Sequence, residues 1–436
     1  MSNNPPRKNT EQMLHWLQKT TFAYFLHEAN PKNGLIKDKT SRTSPASIAA
    51  VGLGLAAYTV GVERGFWTRA QAVERTLNTL RFFAGSKQGP EPNATGYKGF
   101  YYHFLDLRSG ERAWECELST IDTAFLIAGM LVAAAYFSKH NSEEREIRKL
   151  ADSLYRRVDW VWACAEGPSV THGWKPESGF LRARWEGFSE ALTLYLLGLG
   201  APDHPLPAES YAAWTNGFEI KTIYDSTCLY AGPLFIHQFS HLWLDLRGLQ
   251  DDFLNAHQLD FFENSRRATY IQRQYAIQNP LDYKRYSAEC WGITASDGPG
   301  PKKRKIAGIE REFYDYRARG VPFGPDDGTL APWSVVCSLP FAPEIVLPAI
   351  DQLNALDLQL DNPYGFKATF NATFKDSRNS SGFWVSQWHY GLNQGPIVIM
   401  IENYRSRMIY ELTGKSDYLV NGLRRAGFSG GWLDGI

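Results

Sequence analysis

Neither charge nor cysteine is in excess in this sequence. Its 436 residues hold 46 Lys and Arg against 46 Asp and Glu, so the formal net charge is zero. Because nucleic acids and anionic membranes select a basic footprint, this balance argues against both as partners and suits a neutral substrate. The cysteines are odd in number and form no CxxC pair or Cys/His cluster; they are Cys116, Cys164, Cys228, Cys290 and Cys337. We therefore expect no disulfide framework, no metal and no cofactor.

Long apolar runs are also missing. No window approaches the ~18 consecutive apolar residues of a membrane span. The first residues, MSNNPPRKNTEQM, lack the apolar segment of a signal peptide. As written, the sequence predicts a cytoplasmic protein, or a periplasmic one if its start is trimmed or misassigned. Since no linker or low-complexity stretch divides the chain, we expect one catalytic domain over 1–436.

Aromatic residues, in contrast, are plentiful. They make up 14% of the chain, with 14 Trp and 22 Tyr. Most should pack in the core, because aromatic side chains dominate core energetics. Sugar rings have apolar faces that stack on Trp and Tyr, so a carbohydrate site is a second explanation for the excess.

Helical patterns come in pairs along the chain. The first member of a pair is rich in apolar residues, often small ones, and the second has apolar residues at helical spacing with charges between them. This is typical of a helix buried on most sides followed by an amphipathic outer helix. The pairs lie at 46–62 with 63–85, 117–137 with 142–163, 189–200 with 208–218 and 232–246 with 250–277, and weaker ones lie near 341–354 and 395–427.

This repetition predicts an all-α fold, an (α/α)6 barrel in which one layer of helices encloses another. One pair cannot bury its apolar face alone, so neighbouring pairs must close around it. We expect the loops before the inner helices to gather at one end, near the positive ends of the helix dipoles, and to form an active-site cleft. These loops lie at 38–47, 98–117, 169–187, 283–340 and 366–395.

Two acids, Glu186 and Glu190, lie four residues apart before an apolar run. On a helix this spacing places them on one face, where like charges repel, and the start of a helix offsets part of that repulsion. Glu186 is equally well explained as a capping acid. Buried residues follow Glu190 at once, so we expect it to face the mouth of the barrel with a raised pKa, as a general acid requires.

A second acidic cluster begins the preceding inner helix, with Glu115, Glu117 and Asp122. Asp122 stands directly before an apolar run, as Glu190 does. Two carboxylates on adjacent inner helices, at one end of one barrel, can serve as an acid and base pair. Glycoside hydrolysis needs such a pair, because one group protonates the leaving oxygen while the other activates water or attacks carbon.

Two turn-rich segments hold further acids. Glu289 and Asp297 flank Trp291 in the first, and Asp327 lies in the second. Asp-Gly turn chemistry explains both segments equally well.

Other residues are candidates for contacts with a sugar. His237 and His241 stand four apart, a spacing that can bind metal, but no third ligand accompanies them, so we expect hydrogen-bonding residues of a pocket. Arg42 and Arg184 are candidate hydroxyl contacts. The candidate stacking platforms are Trp114, Trp185, Trp291, Trp333, Trp384 and Trp388.

The chain resembles the bacterial glycoamylase or glucoamylase-like family from about residue 34 to 428. This family includes β-1,2-glucan-degrading enzymes and the glucanotransferase domain of cyclic β-1,2-glucan synthases. The stretches that carry the resemblance are ASIAAVGLGL, ELSTIDTAFLIAGML, WEGFSEALTLYLLGLGAPDHPLP, PLFIHQFSHLWLDLRG, FENSRRATYIQRQYAI, WGITASDGPG, DDGTLAPWS with SLPFAPE, and YGFKATFN followed by QGPIVIMIENYRS.

The resemblance implies an (α/α)6 barrel, with Glu190 as proton donor and Asp122 in the same pocket. The chain departs from the family pattern before Glu190, where Phe188 and Ser189 replace the usual Tyr-Asn. An amide donor and a phenol are therefore lost beside the acid, which bears on linkage or subsite specificity. Three candidates for the base remain open: Asp122, Glu289 and Asp297.

The resulting hypothesis is a metal-free glycoside hydrolase that cleaves β-1,2-glucan by acid/base catalysis, and the family favours inversion over retention. A retaining transglycosylase and an exo-acting α-glucan hydrolase are alternatives within carbohydrate chemistry. A non-catalytic glucan-binding protein is an alternative of another class. The expected partner is a carbohydrate substrate, with neither nucleic acid nor membrane.

Overall fold

The regular structure is mostly helical, as expected. A computed structural model describes residues 9–356, 358 and 363–436. Its helices are α1 (Thr10–His27), α2 (Ile48–Glu63), α3 (Arg69–Gly85), α4 (Thr120–Tyr136), α5 (Ser142–Arg156), α6 (Leu192–Gly200), α7 (Glu209–Thr215), α8 (Asp252–Ala256), α9 (Phe261–Gln278), α10 (Pro332–Cys337), α11 (Pro343–Ala355), α12 (Gly391–Arg405), α13 (Met408–Thr413) and α14 (Asp417–Arg425). Short 3₁₀ segments occur at Trp162–Cys164, Leu234–His237, Phe239–Leu242 and Gly431–Gly435.

Short strands lie in the loops between the helices. They are β1 (Ala46–Ser47), β2 (Gly96–Tyr97), β3 (Phe100–Tyr102), β4 (Phe104–Leu105), β5 (Leu118–Ser119), β6 (Gly173–Lys175), β7 (Gly179–Phe180), β8 (Ile220–Ile223), β9 (Ser226–Leu229), β10 (Ala295–Ser296), β11 (Lys302–Ile306), β12 (Ile309–Phe313), β13 (Arg317–Ala318), β14 (Phe370–Lys375) and β15 (Phe383–Val385). Antiparallel pairing joins β2, β3, β5, β6 and β7 in that order, and the two-stranded pairs are β1–β4, β8–β9, β10–β13, β11–β12 and β14–β15. Most strands are too short for their alternation to be read from the sequence.

The apolar helices α2, α4, α6, α10 and α12, here called the inner helices, form the centre of the fold. α12 packs against α2, α2 against α4 and α4 against α6, while α10 packs against α12. Amphipathic helices cover them, because α3 packs on α2, α5 on α4 and α1 on α12. No helix in the described ranges combines the length and apolarity that a membrane crossing requires.

One inner segment departs from the prediction. The stretch 232–246 forms two 3₁₀ turns rather than one α-helix. Its polar side chains bind backbone groups elsewhere: Gln238 Nε2 donates to Ser334 O at 2.6 Å, and His237 Nε2 lies 3.1 Å from Ala231 O. Ser265 Oγ also donates to His237 O at 2.6 Å, so a side chain of another element satisfies a carbonyl group of this stretch in place of a helical hydrogen bond.

Two glycines let α2 and α4 touch through their backbones. A Cβ atom added to Gly129 would lie 1.9 Å from Gly52 O, and one added to Gly52 would lie 2.2 Å from Phe125 O. Both distances are far below van der Waals contact. Gly52 and Gly129 therefore set the spacing between α2 and α4.

Substitution of Gly129 tests this contact. Ala normally stabilises a helix interior by about 1 kcal/mol relative to Gly, but here the methyl group has no room, so we expect Gly129→Ala to destabilise the fold by about 1–3 kcal/mol. Gly85→Ala is the matched control, because nothing lies within 4 Å of its added Cβ at the end of α3. Urea unfolding measures both, and equal stabilities for the two variants would contradict the backbone contact.

Candidate active site

A cavity of about 550 Å³ lies at the N-terminal ends of the inner helices. Its polar lining comprises Asp38, Lys39, His103, Asp122, Glu190, Ser296, Asp297, Asp315, Tyr316, Tyr390 and Asn393, and its apolar lining comprises Phe104, Ile121, Phe125, Phe235, Phe239, Ala295, Trp333 and Leu392. These residues come from loops or first turns beside α2, α4, α6, the 3₁₀ turns, α10 and α12. Four of the five predicted loops, 38–47, 98–117, 283–340 and 366–395, contribute residues to this lining, whereas 169–187 contributes none.

Glu190 lies in the turn that precedes α6, which begins only at Leu192. Burial raises the pKa of its carboxyl group to about 7, and the negative charge of Asp122 adds to this rise. A carboxyl group with this pKa keeps a proton near neutrality and can donate it. The structure thus gives Glu190 the electrostatic property that its sequence context predicted.

Glu186 does not share a helical face with Glu190. The left-handed Gly187 (φ 76°) separates the two acids, and its N–H donates to Trp214 O at 2.9 Å. Glu186 lies on the surface, where it accepts a hydrogen bond from Ser169 Oγ at 2.6 Å. The predicted repulsion between the two acids on one helix face is therefore wrong.

The residues that depart from the family pattern lie outside the cavity lining. Phe188 stacks on Phe261 with ring centroids 5.9 Å apart, and Ser189 accepts a hydrogen bond from Trp214 Nε1 at 3.2 Å. Both side chains therefore support the turn that carries Glu190.

Asp122 belongs to a buried network at the start of α4. Ser119 Oγ donates to Asp122 Oδ2 at 2.5 Å, and His103 Nε2 lies 3.7 Å from the same oxygen. His103 Nδ1 lies 2.8 Å from Glu117 Oε1. Burial alone would lower the pKa of His103, but the carboxylates of Asp122, Glu117 and Asp38 outweigh it and raise the pKa to about 9. An imidazolium therefore stands beside Asp122 at neutral pH.

Asp297 lies on another wall of the cavity. Thr369 Oγ1 donates to Asp297 Oδ1 at 2.7 Å, and Ser386 Oγ donates to Oδ2 at 2.5 Å. Burial raises the pKa of Asp297, although these hydroxyl bonds act against the rise. Both carboxyl oxygens are thus already engaged by the protein.

Asp38 and Lys39 line the cavity from the loop before α2. Burial raises the pKa of Asp38 to about 6, while the charges of His103 and Lys39 oppose this rise. Lys39 Nζ lies 5.5 Å from the centre of the Tyr390 ring and 5.9 Å from that of Trp388. The cation therefore sits between carboxylates and aromatic faces.

A buried ion pair supports the wall that carries Asp297. Arg319 Nε and Nη2 each donate to a different oxygen of Asp327 at 2.8 Å, and both side chains are fully buried. Arg319 also donates to Ser296 O at 2.6 Å and to Asp315 O at 3.1 Å. Asp327, expected to contact substrate, instead positions the segments that line the cavity.

The structure brings several predicted residues together. Asp122, Glu190, Asp297 and Trp333 line the cavity. Glu117 adjoins it through His103, Trp114 through Phe104 at a ring distance of 5.1 Å, and Trp388 through Lys39.

The remaining candidates lie outside this lining. Three are exposed on the surface, namely Arg42, Glu115 and Glu289. Arg184 binds the carbonyl groups of Cys164 and Ser169. Four of the others are buried, namely Trp185, Trp291, His237 and His241. Trp384 lies in the strand pair β14–β15.

The two histidines are held in the interior. Burial lowers the pKa of His237 to about 4 and that of His241 to about 3, so both are neutral. His241 Nε2 lies 3.0 Å from Ser265 Oγ, and His237 Nδ1 lies 3.3 Å from Asn264 Nδ2. Among the described residues, no group of three His, Cys, Asp or Glu side chains could hold a metal ion.

Sequence reasoning missed eight polar residues of the cavity: Asp38, Lys39, His103, Ser296, Asp315, Tyr316, Tyr390 and Asn393. All but Asn393, which lies in the first turn of α12, belong to loops or loop ends that precede inner helices, so the loops were the available signal. Their side chains had no distinguishing pattern, because charged and aromatic residues are common in any surface loop.

The raised pKa of Glu190 predicts a pH-dependent cost to stability. Its folded-state pKa of about 7 exceeds the ordinary value of 4.5, so stability present below pH 4.5 is lost as pH rises toward 7. We expect Glu190→Gln to match the wild type at pH 4.5 and to exceed it by on the order of 2–3 kcal/mol above pH 7. Glu186→Gln is the control on a surface carboxyl. Denaturant unfolding across this pH range checks both, and a pH-independent difference would contradict the burial of an ionising Glu190.

Known proteins resemble this chain over most of its length. A curated relative from Parabacteroides distasonis, "Exo beta-1,2-glucooligosaccharide sophorohydrolase (non-reducing end)", is 28% identical over 92% of this chain, which spans 56% of that relative's length. The structure of the endo-β-1,2-glucanase from Chitinophaga pinensis, in complex with sophorotriose and glucose, has a TM-score of 0.84 at 26% identity and covers 97% of this chain and 99% of its own. The structure of a β-1,2-glucanase from Parabacteroides distasonis has a TM-score of 0.84 at 27% identity, over 96% of this chain and 60% of its own.

A family model also matches the chain directly. The Glycoamylase model, described as "Putative glucoamylase", matches residues 182–417, which is more than half of the sequence and includes Glu190 and Asp297. The resemblance seen in the sequence is confirmed by this match. The chain belongs to the Glycoamylase family.

Proposed function

We propose that this protein is a glycoside hydrolase that cleaves β-1,2-glucan, with Glu190 as the proton donor. The observation that carries the proposal is a carboxyl group with a pKa of about 7 in a cavity that also holds the Asp122 carboxylate. Similarity to β-1,2-glucan hydrolases supports the choice of substrate. Acid/base cleavage of a glycosidic bond needs one carboxyl that is protonated and one that is ionised.

Asp122 is the base that the geometry favours. Imidazolium His103 lies 3.7 Å from Asp122 Oδ2 and stabilises its negative charge. Among the described residues, the hydrogen bond that the Asp122 carboxylate accepts comes from Ser119 Oγ and uses Oδ2, so Oδ1 is left to accept a proton from water. Asp297, with both oxygens engaged, is better suited to positioning. We propose inversion at the anomeric carbon, which requires a separation of roughly 6.5–9.5 Å between the two carboxyl groups.

The proposed scaffold for this site is a single (α/α)6-barrel domain. Contacts between successive inner helices, from α12 through α2 and α4 to α6, and between α10 and α12 support closure of the inner layer. The 3₁₀ turns at Leu234–His237 and Phe239–Leu242 lie between α6 and α10 in the chain, and we infer that they take the remaining inner position.

The decisive test is hydrolysis by the Glu190→Gln variant. We expect wild-type protein to release reducing sugar from linear β-1,2-glucan and not from β-1,3-glucan or starch. Loss of the donated proton should lower kcat by about 10²–10⁴-fold, whereas Glu186→Gln should retain activity. Longer or cyclic products would identify a transglycosylase, glucose from starch an α-glucan hydrolase, and glucan binding without turnover a binding protein.

The pH profile should report the same proton. A general acid works only while protonated, so kcat should fall as pH rises through about 7, where Glu190 ionises. Initial rates on β-1,2-glucan between pH 5 and 9 measure this limb. A rate that is still undiminished above pH 8 would exclude Glu190 as the donor.

The stereochemistry is a separate measurement. The NMR signal of the first-formed anomer would separate inversion from retention.

A further inference from the structure

Trp114 is the one exposed tryptophan of this chain, whose 14 tryptophans all fall within the described residues. Its relative exposure is 62%. Its ring centroid lies 5.1 Å from that of Phe104, which lines the cavity. Burial of an indole ring removes a large apolar surface from water, which is favourable. An exposed tryptophan beside a cavity is therefore a candidate for contact with a ligand.

The backbone that carries Trp114 is strained. Trp114 and Glu115 both lie in the left-handed region, with φ of 58° and 50°, where residues other than glycine are uncommon. Such conformations persist where the surrounding structure enforces them, and they cluster at functional sites.

Arg112 enforces this turn. Its side chain is 2% exposed, and it donates from Nε to Cys116 O at 2.6 Å and from Nη2 to Glu115 O at 2.7 Å. Nη1 pairs with Glu177 at 2.6 Å, and the guanidinium lies 4.8 Å from the centre of the Tyr102 ring. A buried arginine side chain thus fixes the backbone turn that carries the exposed indole of Trp114.

A continuous line of side chains connects this turn to the candidate base. The Trp114 ring contacts Phe104, the Phe104 ring stacks on His103 at 3.9 Å, and His103 Nε2 lies 3.7 Å from Asp122. An aromatic face at the outer end of this line is placed to receive a sugar ring that extends beyond the cavity.

We propose that Trp114 is a stacking platform for a glucosyl unit outside the cavity and thereby sets a preference for longer glucan chains. The proposal rests on the proposed function, since it identifies one more binding position of the same site. A ring that stacks only on a distal unit contributes to binding of long chains and contributes little to short ones.

Chain-length dependence of kcat/KM tests this platform. The chain-length ratio is kcat/KM for long β-1,2-glucan divided by kcat/KM for the shortest oligosaccharide that the wild type cleaves. We expect Trp114→Ala to lower this ratio by about tenfold. Trp114→Phe, which keeps an aromatic face, should recover part of the ratio. Phe323→Ala is the matched control, because Phe323 is 67% exposed, packs on Tyr230 and lies outside the cavity lining.

Binding is measured separately in the inactive Glu190→Gln background. We expect linear β-1,2-glucan to change the intrinsic tryptophan fluorescence, and the additional Trp114→Phe change to remove most of that signal. Thermal unfolding of each variant shows whether it is folded, and Trp114→Phe replaces Trp114→Ala if the latter is not.

The outcomes separate the two proposals. If the wild type cleaves β-1,2-glucan and the folded Trp114→Ala variant has an unchanged chain-length ratio, the proposed platform is overturned. The proposed function then still stands. Absence of wild-type turnover on any glucan would overturn the proposed function. The fluorescence titration, repeated with β-1,3-glucan and starch, would then test whether Trp114 is a stacking platform. A fluorescence change that depends on Trp114 supports it, and a signal that is the same without Trp114 overturns it.

Discussion

The backbone contact between α2 and α4 is the constraint on which the site depends. Gly52 and Gly129 leave no room for a methyl group between the two helices. The loop before α2 carries Asp38 and the first turn of α4 carries Asp122, and both residues line one cavity beside these closely packed helices. Large side chains at the contact would separate these carboxyl groups, and their charges would then influence each other less.

Several carboxyl groups share a small volume, and the surrounding structure gives them different electrostatic environments. Burial and a neighbouring negative charge keep Glu190 protonated near neutrality, while imidazolium His103 stabilises the charge of Asp122. The environment of Glu190 thus suits a proton donor, and Asp122 beside His103 is the proton acceptor that we propose. This division, rather than the number of acids, is what makes the cavity a credible catalytic site.

The buried Arg319–Asp327 pair solves a different problem. The segments around Asp297 and Asp315 are irregular, and irregular backbone needs partners for its carbonyl groups. Arg319 supplies several donors to these segments, and Asp327 neutralises its charge in the interior. A lone buried charge would be energetically costly. Arg319, paired with Asp327 and fully hydrogen-bonded, instead holds three segments in fixed positions relative to one another. Arg112 plays a similar part at the turn that carries Trp114.

The sequence by itself determined the mostly helical class, four of the five loops expected at the site and the candidate acid Glu190, because apolar periodicity and the residues beside an apolar run are local properties. It also carried the family resemblance. Only the tertiary structure decided which loop side chains meet: Glu289 lies on the surface, Asp327 is tied to Arg319, and His103 stands beside Asp122. Burial, pairing of charges and the distance between loops far apart in the chain arise only when the helices pack, so no local pattern could have specified them.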